Sequence, residues 1–205
     1  MSIAPLIHVI DDDESFRTAL LRLLTAAGFE ACGYGSTGEF LLRPPPDRPG
    51  CLLLDVRLPG PSGLELQAAM HDHAIDLPII FLTAHADVSS SVRALKFGAV
   101  DFLEKPVDPD TLLGALGRAL ARDLETRTEH DRSRQLRARF TLLTPREREV
   151  FDRVVVGKAN KIIAAELGIA ERTVKVHRAQ LMAKLGVGSS AELGGLAEQL
   201  RRLPD

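Results

Sequence analysis

Residues 6–14 read LIHVIDDDE: an apolar run, Leu6–Ile10, that stops on Asp11, Asp12 and Asp13. Five residues are too few for a helix, and a run bounded by charge reads as a strand buried on both faces. Cys51–Leu54 and Ile79–Leu82 repeat the pattern, and Glu30–Tyr34 and Asp101–Glu104 are weaker strand candidates. Helical periods lie between them. Ala19, Leu20, Leu23 and Leu24 form one stripe closed by Gly28; Leu64, Leu66, Ala69 and Met70 form a second; Val92, Leu95 and Lys96 lead to Gly98. Glycine after the last periodic residue is a helix stop. Five strands alternating with five helices predict a parallel sheet covered on both faces.

The polar residues follow the apolar runs. Asp11–Asp13 end the first strand, Asp55 the third and Thr83 the fourth, and the fifth leads to Lys105-Pro106. In an open parallel sheet, ligands bind at the C-terminal strand ends, so these groups share one edge. Clustered carboxylates repel and need a counter-ion, and oxygen donors without Cys or paired His suit Mg2+. Lys105 adds a point charge and Thr83 a hydroxyl donor, completing a set for phosphoryl transfer onto a carboxylate. Taken singly, an Asp at a strand end is a turn residue or a helix cap; the order and spacing together favour the site.

The 205 residues are 45% apolar and 26% charged, which excludes a largely disordered, collagen-like or Cys-stapled chain. With no Trp and one Tyr, large aromatic stacking platforms are not expected. The net charge of −2 conceals a split. Residues 1–121 carry 9 basic and 16 acidic side chains, a net of −7; residues 122–205 carry 17 and 12, a net of +5. Such halves suit different partners, a cation for one and phosphate backbone for the other. Cys32 and Cys51 both fall in strand runs and are expected as buried free thiols. The start, MSIAPLIHVIDDDE, is not that of a signal peptide, and no stretch approaches about 20 apolar residues. A reducing cytoplasm fits both.

The segment RPPPDRPG, Arg43–Gly50, is a turn-rich connection. From Asp110 to about Arg139 the pattern is helical, with a stripe of Leu112, Leu113, Leu116, Leu120 and Leu124. The following ETRTEHDRSRQLRAR has neither Pro nor Gly, so the helix is expected to run on as an exposed linker, with a flexible coil as the alternative. Short helices follow. Thr144-Pro145-Arg146-Glu147 is a capping sequence; further helices span about Asn160–Leu167 before Gly168 and Glu171–Leu185 before Gly186, and Ser189 or Ser190 caps a last one. The expected division is a first domain at 1–121, a linker at 122–139 and a second domain at 140–205.

Between Arg172 and Lys184 there are four Lys/Arg and one His but no acid, and Arg172, Lys175 and Arg178 share one helical face. A short helix, a turn and a basic helix make a helix-turn-helix pattern, although on charge alone a solvated face explains it as well. Ile162, Ala165, Leu167, Ile169 and Val174 read as core.

The pieces IDDDE, LLLDVRLPGPSG, IIFLTAHAD and KFGAVDFLEKP make residues 6–121 resemble the receiver domain of two-component response regulators. The resemblance implies a flavodoxin-like (βα)5 α/β fold with strand order 2-1-3-4-5. It implies Asp55 as phosphoacceptor and Mg2+ held by Asp11, Asp12, Asp55 and the Arg57 backbone carbonyl. Thr83 and Lys105 would contact the phosphoryl oxygens, and Phe102 would be the aromatic switch residue, or else simply core. Lys105-Pro106 matches a cis peptide of the family, and Asp13 stands where many relatives have Glu. LTPREREV and NKIIAAELGIAERTVKVHRAQLMAKLGV resemble the LuxR-type helix-turn-helix of transcription factors, an all-α domain covering about 140–203. By that resemblance Lys175, Val176, Arg178 and Ala179 meet the major groove and His177 approaches it, while Arg172, Thr173 and Lys184 contact phosphates. Thr173 is otherwise a cap-proximal residue.

Together the halves resemble the NarL/FixJ class of response regulators, the receiver wording being nearest the FixJ branch. The function implied is transcription regulation switched by a sensor histidine kinase, with homodimerisation, promoter DNA and RNA polymerase as partners. Two alternatives stand beside it: a Mg2+-dependent phosphatase with an aspartyl nucleophile, disfavoured by Arg57 where a general-acid Asp would stand, and a regulator that ignores phosphorylation.

Overall fold

A computed structural model describes residues 4–43, 45–70, 72, 73, 75–84 and 88–202, with backbone only for 88–90. Pro44 of the proline-rich connection and His85-Ala86-Asp87 of the IIFLTAHAD piece lie outside the described residues, as does the start of the chain at 1–3. The elements run β1 (Leu6–Ile10), α1 (Glu14–Ala26), β2 (Glu30–Tyr34), α2 (Thr37–Leu42), β3 (Gly50–Asp55), α3 (Gly63–Ala69), β4 (Ile79–Thr83), α4 (Val88–Lys96), β5 (Asp101–Glu104) and α5 (Pro109–Thr141). Then come α6 (Pro145–Val155), α7 (Asn160–Leu167), α8 (Glu171–Leu185) and α9 (Ser190–Arg202). Contacts divide the chain into two compact units, Met1–Arg127 and Thr128–Asp205.

In the first unit the five strands are parallel, in the order β2-β1-β3-β4-β5. Alternate side chains of each strand point to opposite faces, so two cores form. Ile10, Leu52, Leu54 and Phe81 meet Phe40, Leu66, Met70 and Ala94 from α2, α3 and α4. Ile7, Val9, Leu53, Ile80 and Leu82 meet Leu20 and Leu24 of α1 and Leu112, Ala115, Leu116 and Ala119 of α5. The second unit encloses a third core of Val150, Phe151, Val154, Ile163, Ala164, Val174, Leu181, Leu185 and Leu193. Among the described residues, no helix is long and apolar enough to cross a membrane.

Several side chains lie differently from their sequence reading. Cys32 is exposed, because β2 is an edge strand, whereas Cys51 on β3 is buried. Among the described side chains of α4 the buried one is Ala94, while Val92 and Leu95 are 44% and 50% exposed. In α7, Ile163 and Ala164 are buried and Ile162 and Ala165 exposed. The run Ile-Ile-Ala-Ala fits two helix phases one residue apart, and one residue turns a helix by a quarter of its circumference or more.

Leu124 is likewise exposed, and its neighbour Asp123 is buried in its stead. The Asp123 carboxylate accepts hydrogen bonds from the Gly50 amide at 3.1 Å and from Arg127 Nε at 2.9 Å. Arg127 also donates to Asp47 Oδ1 at 2.7 Å and to the Arg48 carbonyl at 2.6 Å. α5 is thus bound to the start of β3 as far as Arg127. Gly50 is required there, since a Cβ would come within 2.3 Å of the Leu6 carbonyl oxygen.

Two predictions follow from buried groups. Burial pushes the Cys51 thiol up to about 12, with Asp123 adding to the rise. A thiol reagent should therefore label Cys32 alone in the native chain and both cysteines in denaturant, read by mass spectrometry; rapid native labelling of Cys51 would contradict the packing. His8 is buried beside Tyr34, its Nδ1 3.1 Å from the hydroxyl. Burial first, and the Arg48 charge second, lower its pKa from 6.5 to about 4. The unfolded state then binds the extra proton, so this contribution to stability is whole above pH 6.5 and is lost as pH falls to about 4. The loss should be about 3 kcal/mol at most, measured as urea midpoints of the first unit's transition. His8→Gln should flatten that part of the profile.

Candidate functional site

β1, β3, β4 and β5 deliver their terminal polar groups to one edge of the sheet. Asp11, Asp12 and Asp55 each offer a carboxylate oxygen, all within 4.8 Å of one another. Asp11 is fully buried, Asp55 is 7% exposed and Asp12 is exposed. Lys105 Nζ lies between the two buried acids, 2.6 Å from Asp11 Oδ2 and 2.5 Å from Asp55 Oδ2. It also sits 4.3 Å above the ring centroid of Phe16, a cation–π contact. Burial pushes the Asp11 carboxyl above its ordinary range despite the opposing pull of Lys105, and the Asp55 charge adds to the rise. Burial disfavours the Lys105 charge, but the bonds to Asp11 and Asp55 outweigh it and raise its pKa. Removing one partner of such a buried pair costs about 3–5 kcal/mol, because the remaining charge is left uncompensated.

Backbone geometry fixes the set. Asp11 Oδ1 accepts from the Asp13 amide at 3.1 Å, and Arg17 Nη1 donates to the Asp11 carbonyl at 2.5 Å. Asp13 caps α1, its carboxylate accepting from the Ser15 and Phe16 amides. It is the helix cap that a strand-end Asp commonly is, and it takes no place among the clustered acids. The Arg57 amide donates to Asp55 Oδ1 at 2.9 Å, holding that peptide beside the carboxylate. The Lys105 amide donates to the Thr83 carbonyl at 2.7 Å, and the Lys105-Pro106 peptide is cis, as the resemblance implied. Thr83 is buried at the end of β4, next in register to Glu104 on β5. Phe102 is half-buried, its ring 6.0 Å from that of Phe81. Phe16 and Arg17 had no signal in the sequence, because their roles depend on contacts that only the fold creates. The three carboxylates are hard oxygen donors without a thiolate or imidazole, a donor set that fits Mg2+.

In the second unit, α6 begins with a capping box of Thr144 and Glu147 with Pro145 in the first turn. Gly168, at φ +65°, ends α7 in the left-handed conformation and turns the chain into α8. The buried stripe of α8 is Val174, Leu181 and Leu185. Arg172, Thr173, Lys175, Val176 and Ala179 are exposed, and Lys175 pairs with Glu171 at 3.3 Å. His177 is half-buried, and its Nδ1 is buried with no hydrogen-bond partner among the described residues.

Two basic residues of α8 that the resemblance assigned to DNA make bonds within their own unit. Lys184 Nζ binds the buried Glu147 carboxylate at 2.6 Å and the Leu142 carbonyl at 3.1 Å, where a phosphate contact was expected. Burial opposes the Glu147 charge, but Lys184 and the Thr144 cap hold its pKa below the ordinary range. Arg178, expected in the groove, donates to Asn160 Oδ1 at 3.1 Å and to the Ser190 hydroxyl. Charge spacing alone does not disclose an internal partner far away in sequence.

Fold and edge together define a receiver joined to a helix-turn-helix unit. Residues 7–117 match the response regulator receiver domain, and residues 141–197 match the bacterial regulatory proteins of the luxR family. The chain is 43% identical over 195 residues to nodulation protein W of Bradyrhizobium diazoefficiens, covering 95% of this chain and 86% of that protein. It is 40% identical to the transcriptional regulatory protein FixJ of Rhizobium meliloti, covering 93% and 94%. A solved structure of the response regulator StyR matches at TM-score 0.84 and 44% identity, covering 96% of this chain and 100% of that one. Full-length FixJ from B. japonicum matches at TM-score 0.59 and 37% identity over 100% of both chains. The chain belongs to the NarL/FixJ-type response regulators, transcriptional regulators of two-component systems.

Gly63 is the local feature on which the position of Asp55 depends. α3 starts so close to β3 that a Cβ at Gly63 would lie 2.2 Å from the Asp55 carbonyl oxygen. Gly63→Ala should displace Asp55 and cost about 1–3 kcal/mol or more. The measures are a thermal melt and phosphoryl uptake, and unchanged values in both would contradict the close approach.

Proposed function

We propose that Asp55 is the phosphoacceptor and that its phosphorylation by a sensor histidine kinase controls promoter binding by α8. The observation that carries the reading is the Lys105 ammonium held between the Asp11 and Asp55 carboxylates at a sheet edge. An Asp55 carboxylate oxygen attacks the phosphorus of the kinase's phosphohistidine. The new O–P bond forms as the P–N bond breaks, and the bond's electron pair stays on the ring nitrogen, which leaves as neutral imidazole because the other ring nitrogen already carries a proton. Asp11, Asp12, Asp55 and the Arg57 carbonyl would hold Mg2+, which when bound would offset charge on the transferring oxygens. Lys105 exchanges its bond to the Asp55 carboxylate for one to a phosphoryl oxygen, and Thr83 donates its hydroxyl to another.

Phosphorylation replaces the single charge of the Asp55 carboxylate by the nearly two negative charges and three acceptor oxygens of a phosphoryl group. Thr83 and Lys105 move toward them, and Phe102 follows Thr83, so the α4 and β5 face changes shape as a population shift. Two copies then pair through that face and place two α8 helices on operator half-sites. Lys175, Val176 and Ala179 meet base edges, with His177 near them, and Arg172 and Thr173 meet phosphates. RNA polymerase is the further partner at the promoter, and the setting is the cytoplasm. The chain turns over no external phosphate ester, since Arg57 occupies the position where an aspartyl phosphatase needs its second Asp.

An acyl phosphate donor with Mg2+ should add one phosphoryl group to the wild-type chain and none to Asp55→Asn, as read by intact mass. Chelation should abolish the addition. Affinity for promoter DNA should rise by roughly 5- to 150-fold on phosphorylation. Equal affinity in both states, or full response in Asp55→Asn, would overturn the switch; turnover of a generic ester would indicate the phosphatase.

A further inference from the structure

We infer that Arg178 is a positioning residue of the DNA-binding helix, clasping α7, α8 and α9 together rather than reading the duplex. The inference rests on DNA binding by α8. Arg178 lies in the middle of α8, where basic residues at three-residue steps suggest a single outward face. Its guanidinium instead reaches two other helices. One nitrogen donates to Asn160 Oδ1 at 3.1 Å and another to the Ser190 hydroxyl. Asn160 is the first residue of α7, and Ser190 is the first of α9. One side chain therefore ties the beginnings of two helices to the centre of a third.

The chemistry of the group suits this role. A guanidinium presents its N–H donors in a planar, fixed fork, so two bonds in different directions also fix angle. Asn160 matters because α7 has no side-chain cap: its N-cap residue is Ala159. The first turn of α7 is thus secured by what Asn160 binds, and by the burial of Ile163 and Ala164. The other end of α8 is held in the same manner by the ion pair of Lys184 with Glu147 of α6. Two of the four cations between Arg172 and Lys184 are therefore turned toward the protein. The outward ones, Arg172 and Lys175, precede Arg178 in the first turns of the helix. If Arg178 moved to a base or phosphate, both of its bonds would break and α7 and α9 would lose their link to α8.

The two roles predict opposite behaviour when the partners, not the arginine, are changed. The probe is a duplex enriched from a random pool by the wild-type full-length chain. Asn160→Ala and Ser190→Ala keep the Arg178 charge and remove what it holds. As a clasp, each should weaken binding several-fold, and the pair should lose about tenfold. Arg178→Ala should add little to that pair, and Arg178→Lys should not rescue, since an ammonium lacks the fork. The salt slope of binding should stay as in the wild type, and selection with each variant should return the same sequence.

If Arg178 meets DNA instead, freeing it by Asn160→Ala and Ser190→Ala should leave affinity unchanged or raise it. Arg178→Ala should then lower the salt slope by about 0.9 for a lost phosphate contact, or relax selection at one base pair. Either result would overturn the clasp. Failure of the wild-type chain to enrich any duplex would overturn the DNA-binding reading itself. Circular dichroism of each variant separates loss of the clasp from loss of the fold: a variant with native helicity and weakened binding supports positioning, and one that unfolds is replaced by the two single partner variants.

Discussion

Three carboxylates with oxygens inside 4.8 Å cannot all remain charged without a cation among them. Lys105 meets that need between Asp11 and Asp55, and the rest of the first unit can be understood as the means of placing it. The parallel sheet matters because it brings the ends of four separate strands to one edge. Close approach of α3 to β3 keeps the Asp55 strand end in position, and the Phe16 ring covers the ammonium. Any change in charge at Asp55 therefore acts directly on Lys105, whose backbone amide is bonded to the end of β4.

The second unit meets a related need with pairs of side chains. Its helices are short, and short helices rely on caps and tertiary bonds more than on propensity. Thr144 and Glu147 cap α6, Lys184 neutralises the buried Glu147, and Arg178 joins α7 and α9 to α8. The cations that make α8 look like a uniform basic face are in fact divided between holding the helix and displaying it.

Much of this was legible in the residues. Apolar runs of four or five marked the strands, and Thr144, Gly168 and Gly186 marked helix ends, because those signals act within a few residues. The acidic edge was legible because each polar group follows its run directly. What could not be read depends on contacts distant in sequence. Cys32 is exposed because β2 lies at the sheet edge, and Ile162 because adjacent apolar pairs leave helix phase undecided. Phe16, Asp123 and the inward turn of Arg178 and Lys184 need partners between 12 and 89 positions away.

The bonds of Asp123 and Arg127 to residues 47–50 bear on how such proteins recombine. A gene fusion joined ahead of Asp123 would strip the Gly50 amide of its acceptor and expose the foot of the central strand, although every residue of the acidic edge would still be encoded. A junction placed after Arg127 leaves that foot sealed. The last two turns that α5 shares with the sheet thus form a natural splice point, beyond which a different output module can be attached without reopening the first.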